Sequence, residues 1–241
     1  MIDLDLELAA KIHYSFMPEN HEDHQVDVNA KVRPLDVIGG DYCSMFRLGP
    51  QHLVFSICDA VGHGVASALF AARVNTFVLT HATPSTDPAT LIRNLNEFLC
   101  QRLANYGMYS SFLTVLVDCE RHTLSFAGAA HPPGILYRRS TREVVPLGSQ
   151  TSLLGFSHPL RPDFESRRLR YQPGDRLVLY TDGLVETRHS NNISRSLDRL
   201  FRFTHENHTM DNSRFTEALF RDFLNVRKQS DDVLALVVTF K

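Results

Sequence analysis

The sequence lacks a dominant charge and any apolar run long enough for a membrane. Its 25 Lys and Arg nearly balance its 27 Asp and Glu, for a formal net charge of −2. Because these charges are mixed along the chain, no extended basic face is available for nucleic-acid phosphates. The longest apolar runs, 53–58 and 112–117, are far shorter than the roughly 20 residues that span a bilayer. We therefore expect neither a nucleic-acid partner nor a membrane partner.

Cysteines are few and widely separated, at positions 43, 58, 100 and 119, with no CxxC pair. This spacing disfavours both a zinc site and a disulfide framework, so the four residues are expected to be reduced, partly buried thiols. The acidic N-terminal segment also lacks the basic and apolar blocks of a signal peptide. A cytoplasmic location is therefore expected.

The remaining composition is that of a globular protein, with 43% apolar residues and 16 Phe among 241 residues. Although this length permits two domains, one large domain is the simpler interpretation. The first segment repeats apolar residues at Leu4, Leu8, Ile12 and Phe16 and stops at Pro18. This spacing predicts an amphipathic helix over residues 1–18, followed by a single domain over residues 19–241.

Strand patterns dominate the rest of the chain, with few helices between them. A buried strand over 53–58 leads through a glycine-rich turn into a helix from about Val65 to Leu79, and Asp87-Pro88 begins a further helix. A last helix carries Phe215, Leu219 and Phe223. Strands are predicted at 26–32, 112–117, 123–127, 134–137, 143–146, 167–171, 176–180 and 233–240. Short loops between strands favour an antiparallel α+β sandwich over a doubly wound sheet.

Four aspartates share one context, at or beside the end of an apolar strand and next to small residues. They are Asp41 in IGGDY, Asp59 in SICDAVGHG, Asp182 in LYTDGL and Asp231 in QSDDVLALVV. A carboxylate at such a place is unfavourable unless a cation or hydrogen bonds neutralise it. Any one of them alone is ordinary turn chemistry, but four together indicate a site for hard cations such as Mg²⁺ or Mn²⁺.

These segments, with three others, resemble the SpoIIE/RsbU-type branch of the PPM metal-dependent serine/threonine protein phosphatases. Seven segments occur in the family's order over nearly the whole chain: DLELAAKIHYSFMP, VIGGDYCSMF, CDAVGHGVASAL, GAAHPPGILY, SLLGF, LYTDGLVE and SDDVLALVV. The resemblance implies the family's αββα sandwich, in which two mainly antiparallel sheets pack face to face between helices. It also implies two divalent cations, Mn²⁺ or Mg²⁺.

The resemblance further assigns a role to each matching residue. Asp59 would bridge the two cations, the Ala60 carbonyl would bind one of them, and Asp41 would bind directly or through water. Asp182 and Asp231 would complete the other site, supported by Asp232, Gly40 and Gly183. The two ions would then activate a shared water that attacks phosphorus. This agrees with the absence of any CxxxxxR phosphate loop after the cysteines.

Two histidines beside these motifs leave their roles open. His63 could donate a proton to the departing serine oxygen or hold a metal-associated water, or it could only pack the turn. His131 in AAHPP fits a structural hydrogen bond better than a hard-ion ligand. His205 and His208, in a polar stretch, receive no function.

Three positions depart from the family pattern. Ser44 stands where the family often has a second Asp, Ala130 where it has Gly, and Leu234 where it has Thr. None of these departures removes a proposed carboxylate ligand. They bear on metal affinity and turnover rate.

The sequence therefore predicts a metal-dependent phosphatase of phosphoserine or phosphothreonine on a bacterial regulatory protein. By analogy, the partner would be a STAS-type anti-sigma-factor antagonist in a partner-switching pathway. The alternatives are a catalytically weak docking module with the same fold and a hydrolase of small phosphoesters. The N-terminal helix resembles a switch segment, and its apolar stripe could pack on the core, form a homodimer or contact a controlling partner.

Overall fold

The computed structural model describes residues 2–161, 163–185, 193–224 and 229–241. In these residues the helices are α1 (Ile2–Tyr14), α2 (Val65–His81), α3 (Pro88–Leu103), α4 (Ile193–Glu206) and α5 (Asn212–Leu224). The strands are β1 (His21–Glu22), β2 (Val26–Arg33), β3 (Tyr42–Arg47), β4 (His52–Ala60), β5 (Ser110–Asp118), β6 (Thr123–Ala129), β7 (Gly134–Arg138), β8 (Glu143–Leu147), β9 (Arg167–Arg170), β10 (Arg176–Tyr180) and β11 (Val233–Phe240). Short 3-10 turns cover Ala104–Tyr106 and Asp182–Leu184.

The strands form two antiparallel sheets. One sheet has the order β1-β2-β11-β10-β7-β8, and the other has the order β3-β4-β5-β6-β9. Register places Tyr42 opposite Cys58, and it places Tyr180 opposite Ala235. All the pairings between the strands named above are antiparallel, as the short loops predicted.

The core has three apolar layers, which explain the sandwich. Between the sheets, inward-facing residues such as Phe55, Val115 and Leu236 are fully buried. Helices α2 and α3 cover the outer face of the five-stranded sheet through residues such as Val74 and Leu95. Helices α4 and α5 cover the six-stranded sheet with Phe215, Leu219 and their neighbours. The predicted αββα sandwich is confirmed.

Local signals in the sequence have the expected effects on the helices. The Asp87 carboxylate accepts the backbone N–H of Thr90 at 2.9 Å, so it caps the N-terminus of α3, and Pro88 is the first helical residue. All four cysteines are unpaired thiols, and Cys43, Cys58 and Cys119 are buried. Among the described residues, no helix is both long and apolar enough to cross a membrane.

The N-terminal helix ends at Tyr14, before the predicted limit at Pro18, and it buries a different face from the one predicted. Leu4, Leu8 and Ile12 are 72%, 58% and 57% exposed. Ala10 and His13 are buried instead, and the helix packs through Ala10 and its neighbours against Ile38 and Ala68. The interpretation that the apolar stripe packs on the core is therefore wrong, because small residues allow the closer approach between α1 and α2.

Candidate active site

The aspartates come from chain segments that end at one edge of the sandwich. Asp59 and Ala60 are the last residues of β4, and the antiparallel register with β3 places Asp41 beside Asp59. Asp182 begins the turn after β10, and Asp231 and Asp232 directly precede β11, the neighbour of β10. Each sheet thus contributes carboxylates to the same edge.

Two glycines allow neighbouring backbone segments to approach closely at this edge, one in each sheet. A Cβ added to Gly183 would lie 1.9 Å from the Asp232 carbonyl oxygen. A Cβ added to Gly40 would lie 2.9 Å from the Ala60 carbonyl oxygen and 2.7 Å from the Cβ of Ser67. Both positions therefore require glycine for steric reasons, independently of any turn conformation.

The Asp232 carboxylate ties the loop before β3 to the start of β11. Its two oxygens accept the backbone N–H groups of Leu35 at 2.7 Å and Gly40 at 2.9 Å. Asp232 is 2% exposed. These bonds fix the loop that carries Asp41, so the side chain supports the neighbouring carboxylates by positioning them.

The carboxylates lie within electrostatic reach of one another. Burial, followed by the charges of Asp182, Asp231 and Asp232, raises the pKa of Asp59 to about 7. Burial, followed by the charge of Asp59, raises the pKa of Asp41 well above its usual value. Burial also raises the pKa of Asp231. A concentration of negative charge in a buried place is what divalent cations would neutralise.

The donor atoms at this edge fit hard divalent cations. One oxygen of Asp41 is buried with no hydrogen-bond partner among the described residues, and the Ala60 carbonyl lies close to Gly40. Carboxylate and carbonyl oxygens are the ligands that Mg²⁺ prefers. Within the described ranges, no three His, Cys, Asp or Glu side chains form a ready-made cage. Mg²⁺ usually keeps several of its waters and is bound through one or two carboxylates, so it does not require such a cage.

His63 lies at the rim of this site and not inside it. Its Nδ1 is 2.8 Å from the carboxylate of Asp36, and the two side chains are 64% and 56% exposed. The electrostatic interaction between His63 and Asp231 lowers the pKa of that carboxyl, against the larger effect of burial. The imidazole is thus near the aspartates and open to solvent.

His131 is a buried structural residue, in agreement with the preferred interpretation of its motif. Its Nε2 donates to the Tyr180 carbonyl at 3.1 Å, and its Nδ1 lies 2.6 Å from the Ser111 hydroxyl. Burial lowers the pKa of His131 to about 3. The neutral ring therefore connects β5 of one sheet to β10 of the other, just behind Asp59 and Asp182.

The motif analysis missed three residues that contact the site. The Thr181 hydroxyl bonds the Asp41 carboxylate and accepts the Leu234 N–H at 3.0 Å. The Nε2 of His13 in α1 donates to the Asp41 carbonyl at 3.2 Å. Asp36 pairs with His63. Only Thr181 had a signal in the sequence, because it directly precedes Asp182.

Curated relatives with similar sequences cover most of this chain. The phosphoserine phosphatase RsbP of Bacillus subtilis (strain 168) is 25% identical over 185 residues, which are 76% of this chain and 45% of RsbP. The phosphoserine phosphatase RsbU of the same strain is 22% identical over 191 residues, 79% of this chain and 56% of RsbU. This chain thus spans about half the length of these curated relatives.

Solved structures share the fold along nearly the whole chain. The SiaA-PP2C domain of Pseudomonas aeruginosa superposes with a TM-score of 0.80 at 20% identity, covering 100% of this chain and 97% of that domain. RsbX in complex with magnesium gives a TM-score of 0.72 at 14% identity, covering 93% of this chain and 100% of RsbX. These likenesses establish the PPM-type fold.

The family described as Stage II sporulation protein E (SpoIIE) matches residues 49–241. This range contains β4 with Asp59 and Ala60, the turn at Asp182 and the Asp231-Asp232 pair. Because the match extends over most of the sequence and includes these carboxylates, the chain belongs to the SpoIIE family.

Proposed function

We propose that this chain is a metal-dependent protein phosphatase that hydrolyses phosphoserine or phosphothreonine. The observation that carries the proposal is the meeting of carboxylates from both sheets at one edge, where the pKa of Asp59 is raised to about 7 by burial and by the neighbouring aspartates. The names of the relatives RsbP and RsbU, both phosphoserine phosphatases, support the same reaction. The four unpaired thiols suit a reducing cytoplasm.

We assign the metal-holding residues as the sequence predicted them. Asp59 would contact both cations, Asp41 and the Ala60 carbonyl would hold one of them, and Asp182 and Asp231 would hold the other. When bound, two Mn²⁺ or Mg²⁺ ions supply positive charge against the phosphoryl oxygens and lower the pKa of a coordinated water. Asp232, Gly40 and Gly183 hold the backbones that present these ligands.

His63 is proposed as the residue that donates a proton to the departing serine oxygen. The Asp36 carboxylate accepts its Nδ1–H and directs Nε2 away from Asp36. This arrangement resembles other carboxylate–histidine pairs in which one ring nitrogen is held and the other is presented for proton transfer. Both side chains are exposed, so an approaching phosphoprotein could reach them.

The substrate is proposed to be a phosphorylated STAS-type regulatory protein of a partner-switching pathway. Residues 19–241 would form the catalytic domain, and the helix within residues 1–18 would be the segment through which the domain is controlled. Leu4, Leu8 and Ile12 of this helix are exposed, which is the arrangement expected of a surface that pairs with a second copy of the chain.

Manganese-dependent release of phosphate from phosphorylated STAS-domain proteins tests the proposal. Asp59→Asn should lower the rate by at least about a hundredfold, because several kcal/mol of charge stabilisation depend on the bridging position. The matched control is Asp198→Asn, an exposed aspartate on α4, which should retain the wild-type rate. Equal rates for Asp59→Asn and the wild type would overturn the mechanism and favour the docking module.

A further inference from the structure

A cavity of about 210 Å³ opens directly beside Asp59 and Asp182. Its other walls include Val61, Tyr109, Ala130 and Leu153. Ser110 and Ser111 add polar groups to the lining, and Ser111 lies opposite Asp59 in the sheet. Because the cavity is continuous with the carboxylates, any group bound there would lie next to the reacting phosphoryl group.

The charge of this cavity argues against a role in holding the phosphate itself. Among the described residues that line it, none is Lys or Arg. Phosphate recognition by side chains normally uses these cations, so under the proposed function the phosphoryl charge is left to the metal ions. The apolar walls are then available for an uncharged part of the substrate next to the phosphoryl group.

The apolar walls are held in place by hydrogen bonds from two directions. Leu154 and Ser110 exchange backbone hydrogen bonds of 3.0 and 2.9 Å, which fix Leu153 beside the start of β5. From α3, the buried Asn96 accepts the Gly155 N–H and donates to the Ser157 carbonyl, each at 2.9 Å. The cavity is therefore formed before any substrate arrives, which favours selective binding.

An exposed aromatic side chain extends the apolar wall towards solvent. Phe156 is 71% exposed, and its ring contacts the edge of Tyr109 with the ring centres 5.9 Å apart. The two hydrogen bonds of Asn96, to Gly155 and Ser157, flank Phe156 on either side in the chain. Phe156 thus adds an exposed apolar surface next to Tyr109, which lines the cavity.

Ala130 carries a side chain into this cavity at a conformational cost. Its φ is 50°, in the left-handed region that glycine adopts without strain and other residues seldom adopt. The conformation is imposed by the hydrogen bond from Ala130 N–H to the Thr151 carbonyl at 2.9 Å and by the one from His131 N–H to the Ser149 hydroxyl at 2.8 Å. A non-glycine residue in a strained conformation beside a candidate active site points to a functional role for its side chain.

We propose that this cavity binds an aliphatic side chain next to the phosphorylated residue of the protein substrate. Leu153, Tyr109 and Ala130 are then specificity-determining residues, because they form the surface that such a side chain would contact. This inference rests on the proposed phosphatase function. It names the substrate class more closely, as a phosphoserine or phosphothreonine segment with an aliphatic neighbour.

Paired phosphoserine peptides test the inference. Two peptides differ only in the residue before phosphoserine, Leu or Gly, and a second pair differs only in the residue after it. With Mn²⁺, kcat/KM for the Leu peptide should exceed that for the Gly peptide by about tenfold in one of the pairs, the discrimination typical of a small apolar pocket. The ratio should fall towards one in Leu153→Ala and in Ala130→Gly. Leu79→Ala, an exposed leucine on α2, is the matched control and should keep the ratio.

A binding measurement separates recognition from turnover. Fluorescence anisotropy of the same labelled peptides with the Asp59→Asn variant should show the same order of affinity, Leu above Gly. Hydrolysis of all four peptides with equal kcat/KM would overturn the cavity's role and leave the phosphatase assignment standing. Failure of the wild type to hydrolyse any phosphopeptide or phosphoprotein with Mn²⁺ would overturn the proposed function, and this inference with it.

Discussion

At the scale of single residues, Ala130 provides a direct measure of strain at the active site. A left-handed φ costs a non-glycine residue about 1–2 kcal/mol, whereas glycine loses more backbone entropy on folding. Ala130→Gly should therefore raise the free energy of unfolding by up to about 1 kcal/mol, measured by urea denaturation. Ala129, the last residue of β6, is the control, and Ala129→Gly should lower the free energy of unfolding. Equal losses in the two variants would contradict strain at Ala130.

His131 should make the stability depend on pH in one direction. Its folded pKa of about 3 lies below the unfolded value near 6.5, so the unfolded chain binds the proton first as the pH falls. The stability that the neutral His131 ring contributes is therefore present above about pH 6.5 and is lost as the pH falls below that value. Between pH 7 and pH 5, the wild type should lose about 2 kcal/mol relative to His131→Gln.

The two proteins are compared by how steeply the free energy of unfolding changes with pH, and not by its absolute value. Both proteins are unfolded with urea in EDTA at each pH, so effects of the active-site carboxylates are common to both and cancel. His131→Gln also removes hydrogen bonds to Ser111 and Tyr180 and should be less stable at pH 7. Parallel pH profiles for the two proteins would show that the ring is not held neutral.

The aspartates could be found in the sequence because each stands where an apolar strand stops beside a small residue. That local signal identifies Asp41, Asp59, Asp182 and Asp231, and the structure brings all four to one edge. It does not identify Asp36, which pairs with His63. Contacts of this kind depend on how distant loops meet, and a local pattern carries no information about that.

At the scale of secondary-structure elements, α1 shows that periodicity can predict a helix and assign it the wrong buried face. Leu4, Leu8 and Ile12 repeat at helical spacing, yet small Ala10 and polar His13 are the buried residues. Ala10 fits against Ile38 and Ala68, and the His13 ring donates to Asp41. Close packing of small residues and one specific hydrogen bond outweigh the larger apolar side chains here.

A variant of the exposed stripe tests whether it is a contact surface or part of the folding core. Replacement of Leu4, Leu8 and Ile12 by Gln should change the free energy of unfolding of the monomer by less than about 0.5 kcal/mol, as expected of exposed positions. Self-association, followed by sedimentation velocity, should decrease. Leu6→Gln is the control, because Leu6 packs against the buried cluster and its replacement should destabilise the monomer.

The region of α4 was not predicted as a helix, although α5 was. Its charged residues and histidines resemble a solvated stretch, and its apolar residues are few. In the structure, Leu200 is fully buried, with Leu197, Phe201 and Phe203 packed against the same cluster. Ile193, Leu197, Leu200 and Phe201 have the spacing of an amphipathic helix. The helical signal was therefore present in the sequence, and the many charged residues around it obscured it.

At the scale of the whole molecule, the candidate active site exists only when the two sheets are packed together. Asp41, Asp59 and Ala60 belong to the edge of one sheet, and Asp182, Asp231 and Asp232 belong to the other. Folding therefore brings negative charges together at the seam between the sheets. Hydrophobic burial between the sheets opposes this repulsion, and cations bound at the seam would remove it.

This arrangement predicts that metal reverses the pH dependence of stability. Without metal, the folded pKa of Asp59, about 7, lies above the unfolded value near 3.9. The folded protein then holds the proton more tightly, so stability falls as the pH rises through this interval. In EDTA, the wild type should lose about 2 kcal/mol relative to Asp59→Asn between pH 5 and pH 7.5. The effect of His131 is common to both proteins and cancels.

Saturating Mn²⁺ should instead stabilise the wild type increasingly over the same range, because cations and protons compete for the same carboxylates. Thermal unfolding at fixed Mn²⁺, from pH 5 to pH 7.5, measures this reversal, and Asp59→Asn should show little of it. Asp198→Asn, which changes an exposed aspartate far along the chain from these ligands, should behave as the wild type does. If the stability of the wild type showed the same pH profile in Mn²⁺ as in EDTA, the carboxylates between the sheets would not be binding the cation. That result would contradict the role proposed for Asp59 without any measurement on a substrate.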